Sequence, residues 1–305
     1  MISLMALAQT AKALADPSRI RILAALRRGE LSVGEIVEAL GLGQSRVSRH
    51  LNILAAAGLV NSRRDGRWVF YALPEIGPNK IFIDAAFALA NSDPELAADA
   101  GAVDEVIAER ARETSRFFDS VASSWREMRD ESLGGFDLPA RIADTMPRVR
   151  TAADLGCGTG ETLARMAENA DNLIGVDSSR KMLEAARRAV GGNASLRLGD
   201  LMHLPLAEAE TDFAAMSLVL HHLPDPQRAL AEAFRVLAPA GMIIIADFDA
   251  HDKEEMRTRF GDRRLGFEPS EINDWIHAAG FERIKRKAVR LDSGLTLSIY
   301  QASKP

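Results

Sequence analysis

The stretch SVGEIVEALGLGQSRVSRHLNILAAAG, residues 32–58, reads as two short helices folded across a glycine turn. Ser32 followed three residues later by Glu35 forms a capping box, in which each side chain satisfies a backbone N–H that the first helical turn leaves free. The helix it opens is expected to reach Leu40. Gly41-Leu42-Gly43 makes the turn, and a second helix covers Gln44 to Ala57 before Gly58 ends it. Val47, Leu51 and Leu54 share one face of that second helix. Ser45, Arg46, Ser48, Arg49 and Asn52 occupy the other, with His50 at its margin. Short side chains with positive charge are what a helix entering the DNA major groove requires.

The flanks fit the same module. Met1 to Ala15 reads as an amphipathic helix. Asp16-Pro17-Ser18 then caps a further helix, with proline at its first position and Ile20, Leu23, Ala24 and Leu26 as its buried face. Beyond Gly58 two short strands are expected around Arg64-Asp65-Gly66-Arg67, with Asp-Gly as a two-residue hairpin turn. Arg63, Arg64 and Arg67 would meet the phosphate backbone there, while Trp68 and Tyr71 pack. Charge divides accordingly: the net charge is −5 overall, yet residues 1–73 carry ten Lys/Arg against five Asp/Glu. The phosphate-seeking charge therefore sits at one end of an acidic chain.

Residues 13–73 resemble the ArsR family of bacterial repressors over the whole DNA-binding module. The resemblance implies a winged helix-turn-helix and a homodimer, joined through flanking helices, on a palindromic double-stranded operator. It also implies that Gln44, Ser45, Ser48, Arg49 and His50 touch DNA. Metal-sensing members place cysteines where this chain has Leu31-Ser32-Val33-Gly34, so no metal is expected. Cys157, the single cysteine, excludes an internal disulfide and fits a reducing cytoplasm. No basic-then-apolar signal opens the chain, and no run approaches the roughly 18 apolar residues of a membrane span. A cytoplasmic location is expected.

From Pro74 to about Ser132 the pattern is helical. Asn79 to Ala90 carries Ile81, Phe82, Ala85, Ala86 and Leu89, suited to a dimer seam. Asn91-Ser92-Asp93-Pro94 breaks it, and Val103, Ile107, Arg110 and Phe117 mark a long charged helix running toward Trp125. This joint is either a spacer or a lever that carries a ligand-driven shift from one domain to the other.

From residue 150 onward strand and helix alternate, which implies a doubly wound parallel sheet with ligands at the carboxyl ends of its strands. The run Asp154-Leu-Gly-Cys-Gly-Thr-Gly160 ends the first strand, and its glycines let backbone approach a ligand closely. Asp177, at the end of the second strand, can accept from both hydroxyls of a ribose. Asp200, after the third, can accept from an adenine amino group.

These segments, with LVLHHLPDPQRALAEAFRVLAPAGMIIIADF at residues 218–248, resemble class I S-adenosylmethionine-dependent methyltransferases, nearest to the ubiquinone/menaquinone C-methyltransferase-like group. The resemblance implies that Asp154, Gly156, Gly158 and Gly160 line the methionine end of the donor, Asp177 the ribose, and Asp200 and Leu201 the adenine. S-adenosylmethionine or S-adenosylhomocysteine is the implied cofactor. The expected fold is a winged helix-turn-helix domain (1–95), a helical linker (96–134) and a Rossmann-like α/β methyltransferase domain (135–305). His221 and His222 are candidate catalytic bases at the pocket mouth, and Asp252 to Phe267 a candidate lid over an acceptor. Arsenic methylation is disfavoured by the lone thiol. Methylation of an extruded nucleic-acid base is disfavoured because Leu220-His-His-Leu stands where an Asn/Asp-Pro-Pro-aromatic grip would be. Two functions remain: a regulator sensing the methyl cycle, similar to a group proposed to control methionine-cycle genes, or a small-molecule methyltransferase that represses its own operon.

Overall fold

The computed structural model describes residues 3–66, 68–74, 76–90 and 93–305. By its internal contacts the chain divides into two compact units, 1–111 and 112–305.

The first unit is built from α1 (Leu4–Leu14), α2 (Pro17–Leu26), β1 (Leu31–Ser32), α3 (Val33–Leu40), α4 (Gln44–Ala56), β2 (Asn61–Asp65), β3 (Trp68–Ala72), α5 (Pro78–Leu89) and the first part of α6 (Pro94–Val121). Asp16 caps α2 by accepting from the Ser18 and Arg19 amides, and the Ser32–Glu35 capping box opens α3. Gly41 takes the left-handed conformation that ends α3. The three strands pair in the order β1-β3-β2. Ile22, Leu23, Leu31, Ile36, Val47, Leu51, Leu54 and Leu59 form the core, joined by Ile83 and Phe87 of α5 and Val103 of α6.

Two local expectations shift. The buried face of α2 is Ile22, Leu23, Ala25 and Leu26, with Ile20 and Ala24 only half-buried. In the hairpin, Asp65 pairs with Trp68, so Asp65 ends the strand instead of entering the turn. Gly66 supplies the positive φ, 58°. The Asp65 carboxylate is buried and answers Arg63, an ion pair that outweighs the turn preference of Asp-Gly.

The second unit holds the end of α6, then α7 (Trp125–Ser132), α8 (Leu138–Thr145), β4 (Val149–Leu155), α9 (Glu161–Met166), β5 (Ala170–Asp177), α10 (Arg180–Val190), β6 (Ala194–Leu198) and β7 (Thr211–Ser217). A 3-10 turn at Leu220–His222 leads to α11 (Pro226–Val236), β8 (Leu237–Phe248), α12 (Glu255–Arg259), α13 (Pro269–Ala278), β9 (Glu282–Arg290) and β10 (Thr296–Ser303). The seven-stranded sheet runs β6-β5-β4-β7-β8-β10-β9. Strands β4 to β8 are parallel, and β10 is antiparallel to both its neighbours. This is the Rossmann-like methyltransferase fold. Its chain steps outward from β4 to β5 and β6, then crosses back to β7 and β8. The strand order therefore reverses at β4, and a crevice opens at the carboxyl ends there.

Residues 252–267 are not a free lid. Met256, Phe260, Asp262, Leu265 and Phe267 are all buried, and Phe267 belongs to the core beneath α13.

Candidate functional site

The crevice is shaped first by three left-handed glycines. Gly156, Gly158 and Gly160 have φ of 84°, 50° and 86°. The amides of Gly156 and Cys157 both donate to the Val176 carbonyl, which pins the loop to the end of β5. A Cβ on Gly156 would meet Val219 Cγ2 at 2.7 Å, and one on Gly158 would stand 3.5 Å from the Trp125 indole nitrogen. Asp177 accepts from the Gly158 amide at 2.9 Å and the Ser179 amide at 2.8 Å. Burial nevertheless raises its pKa, the backbone donors only partly offsetting it.

A cavity of about 100 Å³ lies at this point. Of the seven residues expected to bind the donor, Gly156, Gly158, Asp177, Asp200 and Leu201 line it. Gly160 and Asp154 are not among the lining residues. A Cβ on Gly160 would lie 2.9 Å from the Ala186 backbone, so this glycine lets α9 and α10 meet. Asp154 is 1% exposed, and its Oδ1 finds no hydrogen-bond partner among the described residues. Burial, with Asp177 and Glu161 nearby, pushes its pKa up to about 7.

The sequence did not single out Phe118, Trp125 and Arg129 as site residues, yet α6 and α7 supply them to the cavity wall. Phe118 packs edge-on against Trp125 and against His222, with centroids 5.1 and 4.8 Å apart. Arg129 pairs with Glu161, whose carboxylate also accepts from the Thr159 hydroxyl.

The two histidines differ sharply. His221 lies between two carboxylates, Nδ1 2.6 Å from Asp247 and Nε2 3.5 Å from Asp262. Burial alone would lower its pKa, but Asp247 and then Asp262 raise it to about 9. It is therefore a cation at neutral pH with both ring nitrogens occupied, and a poor base. His222 is the one that lines the cavity. Its Nδ1 is 3.1 Å from the Gly261 carbonyl, which makes that nitrogen the donor. Burial and the neighbouring His221 charge hold its pKa well below the usual value, so it stays neutral. His221, His222 and Asp262 offer atoms within 4.8 Å of one another, the one such group among the described residues. The His221 charge already answers both carboxylates without an ion. Burial and Asp177 push the Cys157 thiol well up, so it is not a nucleophile.

In the first unit, Gln44, Ser45, Arg46, Arg49 and Asn52 of α4 are exposed and Ser48 is half-buried. His50 is 2% exposed, and neither ring nitrogen has a hydrogen-bond partner among the described residues. It shares the buried face of α4 with Val47, Leu51 and Leu54. Arg63 is committed to Glu30 and Asp65, each at 2.7 Å. Arg64 is exposed, donating to the Gly66 carbonyl at 3.2 Å. Arg67 lies outside the described residues.

Comparison with known proteins follows the same division. Residues 16–62 match the family model of the bacterial regulatory protein arsR family, and residues 153–245 match that of the methyltransferase domain. The chain joins an arsR-type helix-turn-helix to a methyltransferase domain. It is 42% identical over 104 residues to an uncharacterized 37.1 kDa protein in a Streptomyces fradiae transposon, covering 32% of this chain but only 30% of that protein. It is 24% identical to a demethylmenaquinone methyltransferase of Clavibacter sepedonicus, over 65% of this chain and 93% of that one. Among solved structures, a SAM-dependent methyltransferase from Thermotoga maritima shares the fold at a TM-score of 0.53 and 20% identity, covering 63% of this chain and all of that one. The N-methyltransferase NodS of Bradyrhizobium japonicum, solved with S-adenosyl-L-homocysteine, does so at 0.51 and 15% identity, over 63% and 98%. No helix among the described residues is long and apolar enough to cross a membrane.

The residues present fit S-adenosylmethionine or S-adenosylhomocysteine. Gly156 and Gly158 line the cavity where an added Cβ would meet its wall at Val219 and Trp125, and Asp177, also on the wall, keeps acceptor capacity for ribose hydroxyls beyond its two backbone donors.

Proposed function

We propose that the protein is a homodimeric, cytoplasmic transcriptional repressor whose methyltransferase-type domain binds S-adenosylhomocysteine or S-adenosylmethionine and thereby tunes operator binding. Its regulated genes would be those of S-adenosylmethionine turnover. The observation that carries this is the presence, on one chain, of a short-chained cationic α4 face and a donor cavity floored by Asp177. In this function Gln44, Ser45, Ser48 and Arg49 meet the major groove, and Arg64 meets phosphate beside it. His50 and Arg63 support the module from within. Gly156, Gly158, Asp177, Asp200 and Leu201 bind the ligand directly; Asp154 lies beneath them. The ligand changes DNA affinity only by its differential affinity for the DNA-competent and incompetent states.

An active small-molecule methyltransferase is the second function, and His222 favours it. His222 lines the cavity wall, and its Nε2 has no hydrogen-bond partner among the described residues, so it can accept a hydrogen bond from an acceptor hydroxyl and orient it. S-adenosylmethionine supplies an electrophilic methyl group when bound.

The test is operator affinity of the full chain, using its own upstream DNA, titrated separately with each ligand. A change of about tenfold, roughly 1.4 kcal/mol of coupling, is expected from one of them. Asp177→Ala should abolish the response and leave operator binding intact. Donor turnover above background in the presence of cell extract would instead establish the enzyme.

A further inference from the structure

We infer that α6 is the element through which donor-cavity occupancy controls the DNA-reading helices, with Asp119 and Arg110 as its attachment points; this rests on the sensor function proposed above.

The last part of α6 is tied to the ligand-binding strand end. Thr114 and Phe118 line the cavity. The Ser115 hydroxyl donates to the Ser178 carbonyl at 3.0 Å. The Asp119 carboxylate accepts from the Ser179 hydroxyl at 2.5 Å and from the Lys181 amide at 3.3 Å. Ser178 and Ser179 directly follow Asp177. Any tightening of that segment around a ribose is therefore felt by α6 through three hydrogen bonds.

The first part of α6 holds both ends of α3. Asp99 takes Arg21 in a bidentate pair at 2.6 and 2.7 Å, and the same guanidinium donates to the carbonyl of Leu40, the last residue of α3. Arg110, 6% exposed, pairs with Glu35, the carboxylate that closes the capping box at the start of α3. α4 begins only a three-residue turn after α3. Thus α6 grips the helix that orients the DNA-reading one.

Arg110 and Asp119 stand nine positions apart on the single helix α6. No glycine or proline interrupts α6 between Ala102 and Val121. A helix without a kink-forming residue resists bending, and in this proposal it is along α6 that a change at Asp119 is passed to Arg110 and Glu35.

The experiment uses the full chain and measures operator affinity with and without saturating S-adenosylhomocysteine, and separately S-adenosylmethionine. Three proteins are compared: the parent, Asp119→Ala, and Glu113→Pro, which breaks α6 between its two sets of attachments. Ligand affinity is measured in each by calorimetry. The parent should show a ligand-induced change of about tenfold. Both variants should reduce it to below about twofold while ligand affinity and ligand-free operator affinity stay within about threefold of the parent. A full ligand-induced change in Glu113→Pro, or in a ligand-binding Asp119→Ala, overturns the role of α6. A parent that binds both ligand and operator with no change between them instead overturns the sensor function itself. Should Asp119→Ala lose ligand affinity, Glu113→Pro alone decides.

Discussion

His221 shows how burial and charge compete at a single residue. An imidazole taken out of water without a partner would be neutral, yet two buried carboxylates hold its pKa at about 9. A group whose folded pKa exceeds its unfolded value contributes stability that is fully present below the unfolded value, near 6.5, and is lost as pH rises through the folded one. The thermal midpoint of the methyltransferase-type unit should therefore fall as pH rises from about 6.5 to 9, by up to roughly 3 kcal/mol in stability. His221→Asn should be less stable at pH 6.5 and lack that slope, which melting curves across the range would reveal. Asp177 was legible in the sequence because an acid closing an apolar strand has few structural uses. The contrast between His221 and His222 was not, because Asp247 and Asp262 lie 26 and 41 positions from His221 and reach it only through the fold.

At the scale of elements, caps and glycine turns were readable because they depend on neighbours three or four residues away. The Asp16 cap, the Ser32–Glu35 box and α10, bounded at Arg180 and Val190, all formed as the local pattern dictates. What failed needed distant partners: the hairpin turn yielded to the Arg63–Asp65–Glu30 ion pairs, and the supposed lid contributes Phe267 to the core. Phe118 and Trp125 precede β4, the first strand of the seven-stranded sheet, and no periodicity in α6 or α7 pointed toward the glycine loop. Gly160 illustrates the limit of a motif. Its spacing matches a ligand-binding loop, but the contact that excludes a Cβ is the Ala186 backbone. Gly160→Ala should destabilise the unit by about 1–3 kcal/mol, from the φ of 86° and the helix clash together. Ligand affinity of the folded protein should change less than about threefold, since the residue is absent from the cavity wall. Chemical denaturation and calorimetry separate the two effects; a large loss of affinity with unchanged stability would return Gly160 to the ligand.

At the scale of the molecule, the first unit leaves Leu4 and Met5 of α1 82% and 80% exposed, and Ile81 and Leu89 of α5 71% and 91% exposed. In the homodimer proposed above these side chains are the candidates for the seam, and both helices flank the DNA-reading module in sequence. A palindromic operator needs two copies of α4 held by one two-fold axis, because a single recognition helix reads only one half-site. Dimerisation and tight operator binding should therefore fail together. Ile81→Glu combined with Leu89→Glu places two charges where burial would leave them unpaired. Sedimentation should then give the mass of the 33.1 kDa monomer. Operator affinity should fall by about 100-fold, the loss expected when two linked half-site contacts become independent. Affinity for S-adenosylhomocysteine should be unchanged, since the cavity is lined entirely by residues 114–223. A double variant that remains dimeric would move the seam away from α5. A monomer that retained parental operator affinity would mean that one α4 suffices, and the operator would then not be palindromic.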